Sequence, residues 1–385
     1  MLIRNARVMT CDPSRPGLGI VEHASIAIDN SRIVAIGDVT ATGDVIDAKG
    51  ALVTPGLIDC HTHAAFAGDR ANEFAMRAAG ESYEAVAAAG GGINATLGPT
   101  RAAIADGSID SILHDRLVAL RAAGTTTCEV KTGYALTTEG ELALLDAIVR
   151  SRAPLRRIPT LLAHLVPPER TADRAAFVAE ICEQWIPRAH AATSVDVWCE
   201  QSAFTLDETV AICDSATRAG KRVRGHVGQL HDIGGADVLA RFRALSVDHL
   251  ELVSSAGIAA LARAGTVAVM LPGACVQLRL PVPPIAELRA AGVPLAIATD
   301  LNPGSSYCES LAVQMWLATT HFQMTIEEAW LGVTRHAARA LGLEATHVGM
   351  LAPGAPAELV IWTTDSPIDV CYRYGTSLVG RVLTP

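Results

Sequence analysis

Between residues 57 and 298 one pattern recurs eight times: a short apolar, β-branched run, then a polar or Gly/Pro position, then an Ala-rich helical stretch. The runs are Leu57 to Cys60, Thr126 to Val130, Thr160 to Ala163, Val195 to Cys199, Arg222 to Gly225, Ser246 to Asp248, Val267 to Leu271 and Leu295 to Ala298. Strands alternating with helices favour a parallel sheet, and eight such units over roughly 290 residues are enough to close a (β/α)8 barrel of the TIM type. The chain ends read differently. Ser25 to Ile28 and Arg32 to Gly37 are short alternating segments, and the turn Gly349 to Gly354 is followed by the strand-like Glu358 to Trp362. The expected organisation is an α/β chain in which residues 1–54 and 347–385 meet in a small β-sandwich and residues 55–346 form the barrel.

The residues that close each run carry the chemistry: His61 with His63, Lys131, His164, Glu200, His226, His249, Pro272-Gly273 and Asp300. Barrel enzymes place their reactive groups at strand C-termini. Five of the twelve histidines fall at these positions, which outweighs the ordinary reading of a buried histidine as a satisfied core residue. His61-Thr62-His63 puts two imidazoles on one side of an extended chain, where both can reach one ion. Adding His226 and Asp300 gives three neutral nitrogens and one carboxylate, a set suited to zinc, ferrous iron or manganese with room for a water.

Composition narrows the partners. With 40 acidic against 31 basic residues the formal charge is -9, and no Lys/Arg-rich run offers a nucleic-acid surface, so a small molecule is the expected partner. Nine cysteines without a CxxC pair suggest neither a disulfide framework nor a zinc knuckle, which fits a reducing cytoplasm. The N-terminus lacks a signal-peptide core, and the apolar stretches are too short or too interrupted by charge to span a bilayer. A soluble cytosolic enzyme is expected, with no membrane partner.

Pro55 to His63, the strand-end His226 and His249, and Ala298-Thr299-Asp300 resemble the metal pattern of the amidohydrolase superfamily. The resemblance narrows to the imidazolonepropionases, which open an imidazolone ring to N-formimino-glutamate. It is carried by Gly68-Asp69-Arg70-Ala71-Asn72-Glu73-Phe74, Gly90-Gly91-Gly92-Ile93, Glu129 to Tyr134, Ala163-His164 with Pro167-Pro168, and Asp300-Leu301-Asn302-Pro303-Gly304-Ser305. It implies one divalent metal, zinc first with iron or manganese as alternatives, held by His61, His63, His226 and Asp300. It further implies that Asp300 takes a proton from water with help from His249. His164, with Asp300 and His249 one of the implied catalytic residues, and Tyr134 would contact the substrate ring or its acidic tail, and Arg70 would grip its propionate as a bidentate fork. Gln229, Asn302, Gly304 and Ser305 complete the implied binding set, and a homodimer is the implied assembly.

Departures from the pattern matter too. Two-metal relatives use a carboxylated lysine after strand four, but here Lys131 follows strand two and Glu200 follows strand four, which favours one metal and gives Glu200 the role of orienting a histidine, with an extra metal ligand as its alternative. Three residues after His226, Gln229 is an amide and no general base, which weakens a deaminase reading. The segment Gly273 to Pro281 lacks the aromatic and lysine residues common in these relatives. With Cys275 and Cys308 it leaves open a paralogue acting on a thioxo-, oxo-imidazolidine or hydantoin ring with the same tail. A metal-binding barrel without catalysis is disfavoured, because every metal ligand is present.

Overall fold

The computed structural model describes residues 1–81 and 91–384; Gly90 of the Gly-Gly-Gly-Ile stretch lies outside them. The N-terminal segment supplies β1 (Leu2–Met9), β2 (Ile20–Asp29), β3 (Arg32–Gly37), β4 (Val45–Asp47) and β5 (Leu52–Pro55). The barrel strands follow as β6 (Leu57–Asp59), β7 (Thr125–Lys131), β8 (Arg156–Ala163), β9 (Ser194–Cys199), β10 (Arg222–Val227), β11 (Ser246–His249), β12 (Val267–Met270) and β13 (Leu295–Ile297). The chain closes with β14 (Leu359–Trp362) and β15 (Val379–Leu383).

The two ends meet in one seven-stranded sheet of order β15-β14-β5-β1-β2-β3. It branches at β1, whose first residues pair with β4 while Arg7 and Val8 pair with β5. Ile3, Val8, Ile26, Val53, Leu351, Leu359 and Ile361 build a separate core for this sheet. Gly56 links it to the barrel at a point where a Cβ would stand 2.1 Å from the Thr126 hydroxyl, so no larger side chain fits unless Thr126 shifts.

The eight parallel strands run in sequence order from β6 to β13. All eight predicted runs are strands, displaced at most four residues at an end; Lys131, His226 and His249 lie within their strands rather than beyond them. β8 begins four residues earlier than its run because Pro159, a poor strand former, is accommodated inside it. The seam between β6 and β13 is closed by side chain and loop. Asp59 accepts from the Thr299 amide and hydroxyl at 3.1 and 2.6 Å, and Thr62 bridges Leu301. His61, His63 and Asp300 therefore converge where the barrel ends join.

Helices cover the strands through amphipathic faces. The helix Leu206–Arg218 shows why such a segment starts where it does: Thr205 and Glu208 form a reciprocal capping box, and Ile212, Cys213 and Ala216 face the core. No helix among the described residues is long and apolar enough to cross a membrane.

Candidate metal centre and substrate pocket

The period of two along a strand builds the site. Asp59, His61 and His63, then Glu129 with Lys131, Arg224 with His226, and Ser246 with Asp248 are successive alternate positions. All of these side chains are buried. The upper members form a metal-sized cluster, and the lower members form a network of charge beneath it.

In the cluster, His63 Nε2 lies 3.3 Å from His226 Nε2, and Asp300 Oδ1 lies 3.3 Å from His61 Nε2 and 3.4 Å from His63 Nε2. Ligands bound at about 2.0–2.1 Å around a tetrahedral centre are roughly 3.3–3.4 Å apart, so these separations match the edges of such a site. His61, His63 and His226 bring one ligand atom each within 4.8 Å of one another. His61 Nε2 is buried without a hydrogen-bond partner, a position that a bound cation would satisfy. Asp300 takes a left-handed backbone conformation (φ 51°) to turn its carboxylate into the cluster.

The network below fixes how the imidazoles face. Because a carboxylate only accepts, His61 Nδ1 donates to Asp248 (2.6 Å) and His226 Nδ1 donates to Asp196 (2.8 Å), which leaves Nε2 of each for an ion. Lys131 Nζ binds Glu129 (2.8 Å) and Asp196 (2.7 Å), while Arg224 binds Glu129 (3.2 Å) and Asp248 (3.3 Å). Glu129 also receives the Thr62 amide at 3.1 Å and so steadies the backbone between the two histidines. Electrostatics agree with a cation site. Burial and Lys131 lower the His61 imidazole, yet Asp248 and Asp300 outweigh them and raise it to about 9, so this corner of the site attracts positive charge and an ion bound there would displace a proton from the ring. Burial keeps His226 and His63 below their ordinary range, hence neutral. Burial and Arg224 act to lower the Lys131 ammonium, but Asp196, Glu129 and Asp248 raise it above its ordinary value, so it offers no free amine for carboxylation.

Around the cluster, His164 stacks on His63 with ring centroids 5.5 Å apart and donates from Nδ1 to the Gly133 carbonyl at 3.0 Å. Its Nε2 is therefore an acceptor, and burial, then His63, holds its pKa down to about 3. Tyr134 packs 5.6 Å from His164 and 6.0 Å from His63. Burial raises its phenol, so it remains a hydroxyl donor. His249 stands 5.6 Å from His226 and 6.1 Å from His61, ring to ring.

The remaining expected binders are committed to protein partners to different degrees. Arg70 is gripped by Glu73 through Nε (2.6 Å) and Nη2 (2.5 Å), and Glu73 also pairs with Arg77. Gly304 lets the guanidinium lie flat against the loop, since a Cβ there would stand 2.0 Å from Arg70 Nη1. Asn302 organises that loop: its amide donates to the Asp300 carbonyl and Ser305 Oγ, and its oxygen accepts from the Gly304 and Ser305 amides. Ser305 Oγ reaches Asp300 Oδ2 at 3.4 Å. Gln229 is buried in the loop after β10. Glu200 does orient a histidine, but that histidine is His231 (2.9 Å), outside the metal cluster, and Glu200 also binds the Leu230 and His231 amides. Cys275 is buried against the Leu280 and Pro281 carbonyls and borders a surface groove of about 490 Å³ with Arg279, Trp316 and His321 that includes none of the metal ligands. Cys308 contacts the Ser310 carbonyl. Neither thiol is part of the metal cluster.

Sequence reasoning missed Asp196, Asp248, Arg224 and Glu251. A signal for the first three existed: a charged residue inside an apolar strand run, in Val195-Asp196-Val197, Ser246-Val247-Asp248 and Arg222-Val223-Arg224, has only the barrel interior to face.

The amidohydrolase family profile matches residues 52–378. An imidazolonepropionase of Acidiphilium cryptum is 47% identical, with 99% of this chain and 97% of the relative covered. One of Paracoccus denitrificans is 45% identical over 97% of this chain and 96% of its own. Among solved structures, a triazine hydrolase variant (TM-score 0.75, 20% identity, 100% of this chain and 93% of that one) shares the fold. So does a 5-methylcytosine deaminase of Klebsiella pneumoniae (TM-score 0.75, 19% identity, 100% and 96%). The chain belongs to the amidohydrolase family and, within it, to the imidazolonepropionases.

Proposed function

We propose that this chain hydrolyses the cyclic C–N bond of 4-imidazolone-5-propanoate to give N-formimino-L-glutamate, a step of histidine degradation. The observation that carries the reading is the set of three imidazoles and one carboxylate at tetrahedral spacing, in a chain 47% identical to an imidazolonepropionase. His61, His63, His226 and Asp300 would hold one divalent ion; zinc is the first choice, with iron or manganese served by the same donors. Such an ion supplies Lewis acidity, lowering the pKa of a water and polarising a carbonyl.

The chain's own groups do the rest. Asp300 accepts the proton of the attacking water and returns it to the ring nitrogen as the C–N bond breaks. His249 supports the negative charge that develops on the ring carbonyl oxygen, a charge it meets already in place rather than by rearrangement. His164 accepts from a ring N–H through Nε2, and Tyr134 donates its hydroxyl. Gln229 binds the ring as an amide. Arg70 takes the propionate; Glu73 holds its guanidinium ready, and Arg77 leaves this trio with a net positive charge for an anionic ligand. Asn302, Gly304 and Ser305 serve by shaping the loop against Arg70 and Asp300. Residues 1–54 with 347–385 are read as an accessory unit and 55–346 as the catalytic one. Nine free cysteines support a reducing cytoplasm, and a homodimer is the proposed assembly.

The test is loss of the substrate's ultraviolet absorbance when it is generated freshly from urocanate and given to metal-loaded protein. The expected result is rapid turnover that falls by about 10³-fold or more in Asp300→Asn, which removes both a ligand and the proton carrier. A metal-replete wild-type protein inert toward this substrate would sink the reading and turn attention to the thioxo and hydantoin rings.

A further inference from the structure

His249 closes β11, and Glu251 follows two residues later. Their side chains are 2% and 1% exposed. His249 Nδ1 and Glu251 Oε2 are both buried without a hydrogen-bond partner, an arrangement proteins avoid because neither group recovers what it lost on leaving water. Glu251 Oε1 stands 3.5 Å from that same Nδ1, a few tenths of an ångström beyond an ordinary hydrogen bond.

The backbone is distorted to bring them together. His249 (φ 80°) and Leu250 (φ 70°) are consecutive non-glycine residues in the left-handed region, a strained pair that persists only where the surroundings enforce it. The reversal is held by the Leu250 amide on the Val227 carbonyl (3.0 Å) and the Leu252 amide on the Gly228 carbonyl (2.8 Å), both beside the loop that carries Gln229. Asp248, the other neighbouring carboxylate, is occupied by His61, Arg224 and Ser246. Strain of this kind clusters at functional sites, and here it delivers one unpaired carboxylate to one unpaired imidazole nitrogen.

We propose that Glu251 is the positioning residue of His249: its carboxylate accepts a hydrogen bond from Nδ1–H, fixes the ring's tautomer and orientation, and leaves Nε2 for the substrate. The logic is that of an acid–histidine pair, in which a buried carboxylate holds the imidazole and stabilises it when it carries a second proton. Glu251 touches no reacting atom. The inference rests on the hydrolytic reading of the site, and its test is arranged so that the two can fail separately.

Turnover is measured for wild type, Glu251→Gln, Glu251→Leu, His249→Ala and the double variant His249→Ala/Glu251→Leu, with metal content and thermal melting recorded for each. Glu251→Leu is expected to lower kcat by about 10- to 100-fold with KM and metal content unchanged, the range seen when a group that orients a functional histidine is lost. Glu251→Gln keeps an oxygen that accepts Nδ1–H and is expected to fall between wild type and Leu. In the His249→Ala background the Leu change is expected to add less than about twofold, because a residue that acts through His249 has nothing left to act through. Equal kcat in wild type and Glu251→Leu, or full additivity in the double variant, would overturn the proposal. Should Glu251→Leu fail to fold, the Gln variant and its double with His249→Ala carry the same comparison. A wild-type protein without turnover would refute the hydrolytic reading alone. The histidine ¹⁵N spectrum then decides: the His249 signal, identified by its loss in His249→Ala, should report Nδ1–H in wild type and change in the Glu251 variants, and an unchanged signal refutes the pairing.

Discussion

The candidate metal cluster and the loops proposed to face the substrate share one end of the barrel but are built by different means. His61 and His226 project from strands or their immediate ends, and each has its outer nitrogen tied to a buried carboxylate that itself sits on another strand. Arg70, Gly304 and Ser305 ride on segments between elements, and their partners are near neighbours: Glu73 for Arg70, Asn302 for Ser305. The candidate ion site thus stands on a scaffold whose geometry is set by sheet register, whereas the loop groups proposed to meet the substrate hold one another in place. Rigid strands suit a ligand that tolerates little error in distance. Loops suit a ring and tail that must enter and leave.

The largest effect is expected at Asp196. Asp196→Asn leaves His226 without its charged anchor and leaves Lys131 with one carboxylate fewer, so metal affinity read by chelator competition should fall by about 10- to 100-fold. An unchanged affinity would mean that the strand-borne network does not position the ligands. A smaller effect is expected in the loops: Arg70→Met should raise KM by about tenfold or more, as loss of a charged hydrogen bond does, while kcat and metal affinity change little. A fall in metal affinity with Arg70→Met would erase the division between scaffold and loop.

The smallest effect concerns stability away from both regions and separates it from site chemistry. His336 donates from Nδ1 to the Leu295 carbonyl at 2.9 Å, and burial lowers its pKa to about 4. The folded chain keeps this imidazole neutral where the unfolded chain, with an ordinary value near 6.5, takes up a proton. Its contribution to stability is thus present above about pH 6.5 and is lost as pH falls from there toward 4. Thermal melting against pH should show a shallower acid limb in His336→Gln, with metal affinity at neutral pH unaltered; identical limbs would rule out His336 as a source of acid sensitivity.

The candidate metal ligands are legible in the sequence because their signal is local. His61-Thr62-His63 is readable within three residues, and His226 and Asp300 stand out at the ends of apolar runs. The same local logic located all eight barrel strands, with end errors of a few residues where Pro159 masks strand character and where a strand retains a polar last residue such as Lys131. Glu200 shows the limit: its place after strand four marked it as an orienter of histidine, yet nothing in its surroundings along the chain says that the histidine is His231.

What the chain alone determined, then, is the alternation of strands and helices and the chemical types offered at the strand ends, since hydrophobic period and residue identity are properties of short segments. Which residue partners which is set in three dimensions. Asp248 anchors His61 across 187 residues, and Asp59 closes the barrel seam on Thr299 across 240. Arg70 meets Glu73 instead of standing open, and two left-handed residues turn Glu251 back toward His249. The long-range pairings depend on strand register and ring closure, and the turn at His249 on its neighbours, all of which are fixed by packing the barrel; Arg70 with Glu73 is the local exception, three residues apart at a helix start.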